Sequence, residues 1–329
     1  MIAMEFTSKF IHLIEGTASG TSVNVQRTMS FPVPERSIRN GYIRNATEIA
    51  SVVQEAIINN GLRKPVTISV DSTALKIKQA ELPYEKGENA LLFMKRELGD
   101  LIAEEPYIID YIVHRIFKKG KTNYMQCTMF AIPRDLLIEY SNLCKGLGLK
   151  IKCIDVLNEI VTKQLEMQYP KLKSKKQDKQ KEGEENTLLA EQSSSAGIRL
   201  WAGLYYEKIK LFTNGIDGKV FSKTIMLEGL EPTSERVKTE EEIDKERIAL
   251  YISEIKKFVE FQKDISPNHQ IGQIELFGEH QKLQEISTLV KEEANQPTSI
   301  MQQPRQIKGV STESYVKYMG AIGSLVRRQ

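Results

Sequence analysis

The sequence predicts an α/β protein built from two duplicated domains. Stretches that alternate between apolar and polar residues, as strands do, are interleaved with stretches whose apolar residues recur at helical spacing. Both halves of the chain begin with the same order of elements, namely strand, turn, strand and strand, and continue into helices and further strands. This repeated order predicts two α/β domains of similar plan.

The first half opens with a β-hairpin over residues 1–16, in which MIAMEF and FIHLIEG flank a Thr-Ser-Lys turn. A third strand follows over about 22–32. Asn45 begins a helix, because Asn-Ala-Thr-Glu offers capping side chains and the apolar residues after it recur at helical spacing. Residues 65–70, PVTISV, predict a buried strand.

The next elements form a second group of helices and strands. A basic Lys-Lys-Gly-Lys turn joins two alternating strands, and helices flank that pair. The predicted order is a helix at 89–104, strands within 107–132, a helix at 133–145, a strand at 149–156 and a helix at 157–168.

Residues 171–195 differ in composition from the rest of the chain. KLKSKKQDKQKEGEEN is charged and almost without apolar side chains, and QSSSAG follows. Such a segment cannot bury enough surface to offset the entropy lost on ordering. We predict a flexible charged linker or loop, with a polyelectrolyte partner site as the alternative.

The second half repeats the opening of the first. Strand–turn–strand patterns at 198–211 lead into a third strand, and Thr239 with Glu242 forms a capping box before a long helix. Later elements are a strand at 271–277 before Gly278, a helix from 282 to 293, and a closing helix at 314–328. We therefore place the first domain at 1–170 and the second at 196–329.

Composition excludes several classes of protein. A net charge of +3 is too small for the dominant basic patch of a nucleic-acid binder. The three cysteines lack C-x-x-C spacing and no histidines pair as H-x-x-x-H, so we predict neither a disulfide framework nor a metal site. No leader and no run of about 18 apolar residues is present, so membrane association is expected to be indirect.

Five stretches, in the same order along the chain, resemble the PilM family, which is related to FtsA and actin. They cover nearly the whole chain apart from 171–195. They are IEGTASGTSVNV with FPVPERSIRNGYIRNATEIASVVQEAI, residues 66–83, LLIEYSNLCKGLGLKIKCIDVLNEIV, ISEIKKFVEFQKDISPNHQIGQIELFGE, and YVKYMGAIGSLVRR.

The resemblance implies an actin-like fold, with two ribonuclease H-like domains around a cleft and a small subdomain inserted in the first at about 84–148. It implies a cytoplasmic protein at the inner face of the membrane. Its partner would be the cytoplasmic N-terminal tail of a PilN-like membrane protein, gripped in a groove with one wall from the inserted subdomain. A pilus assembly ATPase and a second copy of the chain are further partners that the resemblance suggests.

In that fold two hairpin turns cradle the nucleotide's phosphates, an acid from each hairpin holds the metal, and a glycine-rich turn approaches the adenosine. The residues of this chain that match are Glu5, Thr7, Ser8, Gly203 and Gly278. The first hairpin lacks its glycine, and Trp201 replaces the second acid. The adenosine turn keeps one glycine, in Gly-Glu-His.

These departures predict a degenerate nucleotide site with no catalytic residues and no metal. ATP with magnesium would bind weakly, if at all. Trp201 either stacks on a base or fills the vacated cleft as core. The leading interpretation is a binding scaffold. The alternatives are an actin-like ATPase or filament-forming protein, motivated by the retained residues, and an FtsA-like membrane tether, motivated by the apolar and basic closing helix.

Overall fold

A computed structural model describes residues 1–62, 65–85, 87–102, 106–169, 198–214, 220–227, 230, 239–265 and 270–326. The predicted linker at 171–195 lies outside these described residues. The chain forms two compact units. Unit 1 comprises Met1–Phe31, Val66–Ser69 and Lys152–Gln329, and unit 2 comprises Pro32–Pro65 and Val70–Ile151. The domain boundaries drawn from the sequence stay predictions.

The described strands, in chain order, are β1 Ile2–Phe6, β2 Phe10–Ser19, β3 Ser22–Pro32, β4 Ile38–Arg39, β5 Tyr42–Ile43, β6 Val66–Val70, β7 Lys76–Pro83, β8 Tyr107–Lys119, β9 Thr122–Pro133, β10 Ile151–Val156, β11 Ile198–Tyr205, β12 Lys208–Asn214, β13 Val220–Met226, β14 Ile271–Gly278, β15 Thr298–Ile300 and β16 Ile307–Lys308.

The described α-helices are α1 Ala46–Asn59, α2 Glu88–Leu98, α3 Arg134–Gly146, α4 Leu157–Gln168, α5 Glu240–Ile265, α6 Leu283–Ala294, α7 Thr312–Lys317 and α8 Met319–Leu325. A 3-10 turn, Gly99–Ile102, extends α2. Within the described ranges no helix combines the length and apolar character needed to cross a membrane.

Unit 1 contains two sheets with the same plan. The first has the order β10-β6-β1-β2-β3-β16, and the second has the order β15-β14-β11-β12-β13. In each sheet a central strand pairs antiparallel with the strand after it in the chain and parallel with a later strand, as β1 does with β2 and β6 and β11 does with β12 and β14. The duplication predicted from the order of elements is confirmed.

The central strands are covered on both faces. All five residues of β1 are buried, as are seven of the eight in β11. Strands covered on both faces need continuous apolar runs, and this explains IAMEF and LWAGLY. Their side chains join those of α4, α5, α7 and α8 in one hydrophobic core. The hairpin turns at the ends of β1 and β11 therefore project from rigid strands.

The closing helix differs from its prediction. The structure divides it into α7 and α8, with Tyr318 between them at φ −101° and ψ 19°. The first N–H groups of a new helix need partners outside it. Glu5 supplies one, because its carboxylate accepts a hydrogen bond from the Ala321 amide at 3.2 Å.

Unit 2 contains a three-stranded antiparallel sheet in the order β7-β9-β8. One face of this sheet packs against α2 around a cluster of apolar residues on β7, α2 and β9, namely Leu82, Ala90, Met94, Leu98, Met125, Cys127, Met129 and Ala131. Helices α1 and α3 and the short β4–β5 pair complete the unit. Among the described strands β8 pairs with β9 alone, so it is an edge strand.

Candidate functional site

Two hairpin turns of unit 1 form the candidate site. In the first, between β1 and β2, the Thr7 hydroxyl oxygen accepts hydrogen bonds from the amides of Phe10 at 2.9 Å and Lys9 at 3.3 Å. This local bonding is a common way for threonine to stabilise a turn. The second turn, Tyr206-Glu207, joins β11 to β12.

A third chain segment, the turn after β14, enters the space between the hairpins. Gly278 has φ +121°, and a Cβ there would collide with the backbone of Leu204 in β11. Only glycine allows this conformation and this close approach. The Glu279 amide then donates to the Leu204 carbonyl at 3.2 Å. The Glu279 side chain is thereby directed at both hairpins.

The Glu279 carboxylate bridges the two hairpins. One oxygen accepts a hydrogen bond from the Thr7 hydroxyl at 2.7 Å, and the other accepts from the Tyr206 amide at 3.4 Å. His12 Nε2 lies 3.4 Å from the same oxygen as Thr7, at the outer limit of useful contact. Glu279 is only 2 % exposed. A buried carboxylate of the second half is thus held by donors of both halves.

Aromatic rings enclose this carboxylate. His12 packs edge-on against Tyr318 at 5.0 Å, and Tyr206 stacks on His280 at 5.5 Å. The rings of the cluster come from both halves and are those of Phe10, His12, Tyr206, Tyr251, His280 and Tyr318. Aromatic packing of this kind excludes water and strengthens the hydrogen bonds inside.

Asp244 on α5 holds His280, which packs with Tyr206 and Tyr251 to form one wall of the site. His280 Nε2 donates to Asp244 at 3.0 Å, while His280 Nδ1 accepts from the Lys282 amide at 3.2 Å. Burial lowers the pKa of His280 below 6.5, although Asp244 opposes this shift. Burial would raise the pKa of Asp244, but hydrogen bonds from Lys282 and His280 hold that pKa below 3.8. Both ring nitrogens are therefore matched to the neutral imidazole.

The two tyrosines of this wall have pKa values raised above the usual value for tyrosine. Burial raises the pKa of Tyr206, and the charge of Glu279 raises it further. Burial also raises the pKa of Tyr251, whose hydroxyl donates to the Tyr205 carbonyl at 2.8 Å. Both phenols stay protonated at neutral pH and act as packing groups.

The structure brings some of the residues expected at a nucleotide site together and separates others. Thr7 and Gly278 meet at Glu279. Ser8 lies half-buried in the first turn. The Glu5 carboxylate is committed to the amide of Ala321 in α8. Gly203 lies inside β11, where a Cβ would come within 2.7 Å of the Phe277 ring. Close packing against Phe277 therefore explains why a glycine stands at this position.

Trp201 is fully buried in the core, in line with the second of the two alternatives for this residue. It does not lie between the hairpin turns, however, because its neighbours are Tyr169 and Glu275. Glu279 occupies the space between the turns instead. The sequence indicates only that Glu279 stands where a glycine is expected, and it gives no sign of the position of His12. A charged residue directly after a buried strand and a glycine is the one signal that pointed there.

The residues between the hairpins do not fit a nucleotide with its metal. Phosphates need an open cradle of donors, and Glu279 places a negative carboxylate against the donors that are present. The described residues contain no group of three or more His, Cys, Asp or Glu side chains that could hold a metal ion.

The fold of the chain is similar to the folds of several solved proteins. No known family's sequence model matches the chain, and no curated protein matches it. The structure is similar to a chain of the PilM-PilN type IV pilus biogenesis complex, with a TM-score of 0.69 and 14 % identity over 98 % of this chain and 97 % of that one.

Two weaker similarities were also found. One is to a protein of Bacteroides thetaiotaomicron with an actin-like ATPase fold, with a TM-score of 0.48 and 12 % identity over 98 % and 94 % of the two chains. The other is to the ethanolamine utilization protein EutJ of Carboxydothermus hydrogenoformans, with a TM-score of 0.47 and 8 % identity over 98 % and 88 %. The chain shares the fold of the protein in the PilM-PilN complex, and in this respect the resemblance seen in the sequence is confirmed in three dimensions.

Proposed function

We propose that this chain is a cytoplasmic scaffold of a type IV pilus assembly platform, and that it binds the cytoplasmic N-terminal tail of a PilN-like membrane protein without hydrolysing ATP. The observation that carries the proposal is the similarity over 98 % of the chain to a protein solved in a PilM-PilN complex. Since the identity is 14 %, this similarity shows the fold, and binding of a tail is our inference from it.

Unit 2 offers a surface suited to an extended peptide. β8 is a 13-residue edge strand whose outer main-chain groups can pair with an added strand. Apolar side chains stand exposed on or near this sheet, including Ile108 at 46 % and Ile116 at 49 %. Single exposed apolar residues are ordinary, but several along one edge strand are typical of peptide recognition.

The binding part of the proposal is tested by titrating the purified chain with a synthetic peptide of the PilN-like protein's cytoplasmic tail from the same organism. We expect saturable binding, and we expect Ile108→Asp to weaken it by about tenfold or more, because a charge would replace an apolar contact. The matched control is Phe261→Asp on α5, which alters a residue of unit 1 that is 57 % exposed. Equal affinities for all three proteins would place the tail elsewhere, and no binding by the unmodified chain would refute the scaffold role.

The non-catalytic part of the proposal is tested by calorimetric titration with ATP and magnesium. The supporting observation is that Glu279 sits against the donors of both hairpins. We expect no saturable heat and no phosphate release. Sustained phosphate release that Glu5→Ala abolishes would instead establish an actin-like ATPase.

A further inference from the structure

We propose that Glu279 does in this chain what a bound phosphate group does between two hairpin turns: its carboxylate fills an anion cradle and holds the two duplicated halves together without a ligand. This inference rests on the proposed absence of nucleotide turnover and explains how the fold dispenses with a nucleotide. Three groups from the two halves, Thr7 and His12 in the first and Tyr206 in the second, face the carboxylate.

The Thr7 hydroxyl is set as a donor toward this position. Its oxygen already accepts hydrogen bonds from the amides of Lys9 and Phe10, so its proton is available for an acceptor. The carboxylate at 2.7 Å is nearer than the Phe10 carbonyl at 3.0 Å. An O–H donor that its own turn orients in this way is a preorganised anion contact.

The other two groups, one donor and one histidine in contact with the carboxylate, are also fixed before any ligand arrives. The Tyr206 amide belongs to the turn of the second hairpin, and β11 and β12 hold it in place. His12 is fully buried in β2, and its Nδ1 lies 3.1 Å from the Ser30 hydroxyl. With the Glu279 side chain removed, these groups would surround a polar space able to accept another anion.

Three cations lie against aromatic rings of the cluster, and two of them are ion-paired, Lys9 with Glu240 at 3.8 Å and Arg247 with Asp244 at 3.3 Å. Lys9 and Arg247 lie over the Tyr206 ring at 5.6 and 4.8 Å, and Lys317 lies over the Phe10 ring at 5.5 Å. The cations attract anions toward the cradle, less strongly than unpaired charges would. In the unmodified chain the buried carboxylate keeps such anions out by occupancy and by like charge.

The test compares Glu279→Ala with Glu279→Gln and the unmodified chain, using inorganic pyrophosphate as the probe. Glu279→Ala empties the cradle, and we expect a lower thermal midpoint that rises again with pyrophosphate in a saturable way. Glu279→Gln keeps the space filled, although its single acceptor oxygen can keep the hydrogen bond from Thr7 or the one from Tyr206 and not both. Because the space stays filled, we expect no pyrophosphate effect on this variant. The unmodified chain should not respond either. Sodium chloride at matched ionic strength controls for screening.

Each outcome decides the matter. A saturable pyrophosphate response confined to Glu279→Ala supports the proposal, whereas no response, or an equal response in all three proteins, overturns it. If Glu279→Ala does not fold alone, it is refolded from urea with and without pyrophosphate. Recovery only with pyrophosphate supports the proposal, and failure under both conditions overturns it. Peptide binding by the unmodified chain is a separate measurement, so the scaffold role and this inference can fail independently.

Discussion

Two buried glutamates four residues apart make contrasting use of similar surroundings. Glu275, within β14, is 4 % exposed, and Glu279, just after the strand, is 2 % exposed. Glu275 pairs with Arg199 at 2.8 Å and accepts hydrogen bonds from Trp201 and from Tyr169. Glu279 is held by a hydroxyl, an amide and a nearby histidine.

The origin of the partners separates the two roles. Arg199 and Trp201 lie on β11, next to β14 in the same sheet, and Tyr169 follows α4 directly. Glu275 therefore joins β14 to the neighbouring strand β11 and to the residue after α4, through a compensated ion pair and hydrogen bonds. Glu279 takes Thr7 and His12 from the first sheet and Tyr206 from the second. Its hydrogen bonds join the hairpin turns of the two sheets.

The largest effect is expected from Glu275→Ala. This change leaves the Arg199 guanidinium, the Trp201 indole and the Tyr169 hydroxyl without their shared acceptor, and removing one partner of a buried pair is costly. Since Arg199 is partly exposed, we expect the free energy of unfolding to fall by about 3 kcal/mol, at the lower end of the usual range.

Urea denaturation followed by circular dichroism measures this loss. The control is Glu293→Ala, which breaks an exposed ion pair with Lys256 and should change stability by less than about 0.5 kcal/mol. Similar losses for both variants would show that the Glu275 network contributes no more than a surface pair.

Glu279→Ala should lower the free energy of unfolding by about 2 kcal/mol, because it removes the acceptor of buried neutral donors. The comparison with Glu275 is sharpened by adding pyrophosphate. We expect the anion to restore Glu279→Ala and to leave Glu275→Ala unchanged, since the donors around Glu275 hold an ion pair and not an open anion cradle. Restoration of both variants would mean a nonspecific effect of the anion.

Much of the fold could be predicted from the sequence, and the arrangement of the site could not. The period of apolar residues predicts β1, β11 and α4, and the repeated order predicts two similar sheets, because these depend on local pattern. The pairing of β16 with β3 depends on contacts between residues nearly 300 positions apart in sequence. Because β16 is only two residues long, it is too short to show the alternating pattern of a strand. The destination of the Glu5 and Glu279 side chains likewise depends on tertiary packing.

A third buried carboxylate extends the comparison. Glu5 was expected to face a nucleotide, but it accepts a hydrogen bond from Ala321 and lies where a Cβ on Gly320 would stand. Gly320→Ala should therefore displace the carboxylate and lower the free energy of unfolding by about 1–2 kcal/mol, as overpacking does. The control is Gly146→Ala at the end of α3, where a Cβ meets no atom within 4 Å.

Thermal and urea unfolding of the two glycine variants give the comparison directly. We expect Gly146→Ala to match or slightly exceed the unmodified chain, because alanine favours a helix. Equal stability of Gly320→Ala and Gly146→Ala would show that Glu5 moves freely and that its contact with α8 contributes little.

The smallest expected effect is on the pH dependence of the free energy of unfolding. We expect it to arise from residues around Glu279 and not from those around Glu275. Burial lowers the pKa of His280 below 6.5, so the unfolded chain binds more protons than the folded chain just below that pH. The stability that neutral His280 contributes is complete above pH 6.5 and is lost as the pH falls through the lower folded pKa. Asp244 stays ionised throughout this window, because its pKa lies below 3.8.

Protonating His280 Nδ1 would break its hydrogen bond with the Lys282 amide, and Arg247 and Lys282 both disfavour a positive ring. We therefore expect the unmodified chain to lose more stability between pH 7.5 and 5.5 than His280→Gln does. His114→Gln alters an exposed histidine of unit 2 and should keep the slope of the unmodified chain. Around Glu275, burial raises the pKa of Tyr169 further above this range, so that phenol stays protonated throughout it. If His280→Gln kept the full slope, the pH response would have to arise outside the wall that encloses Glu279.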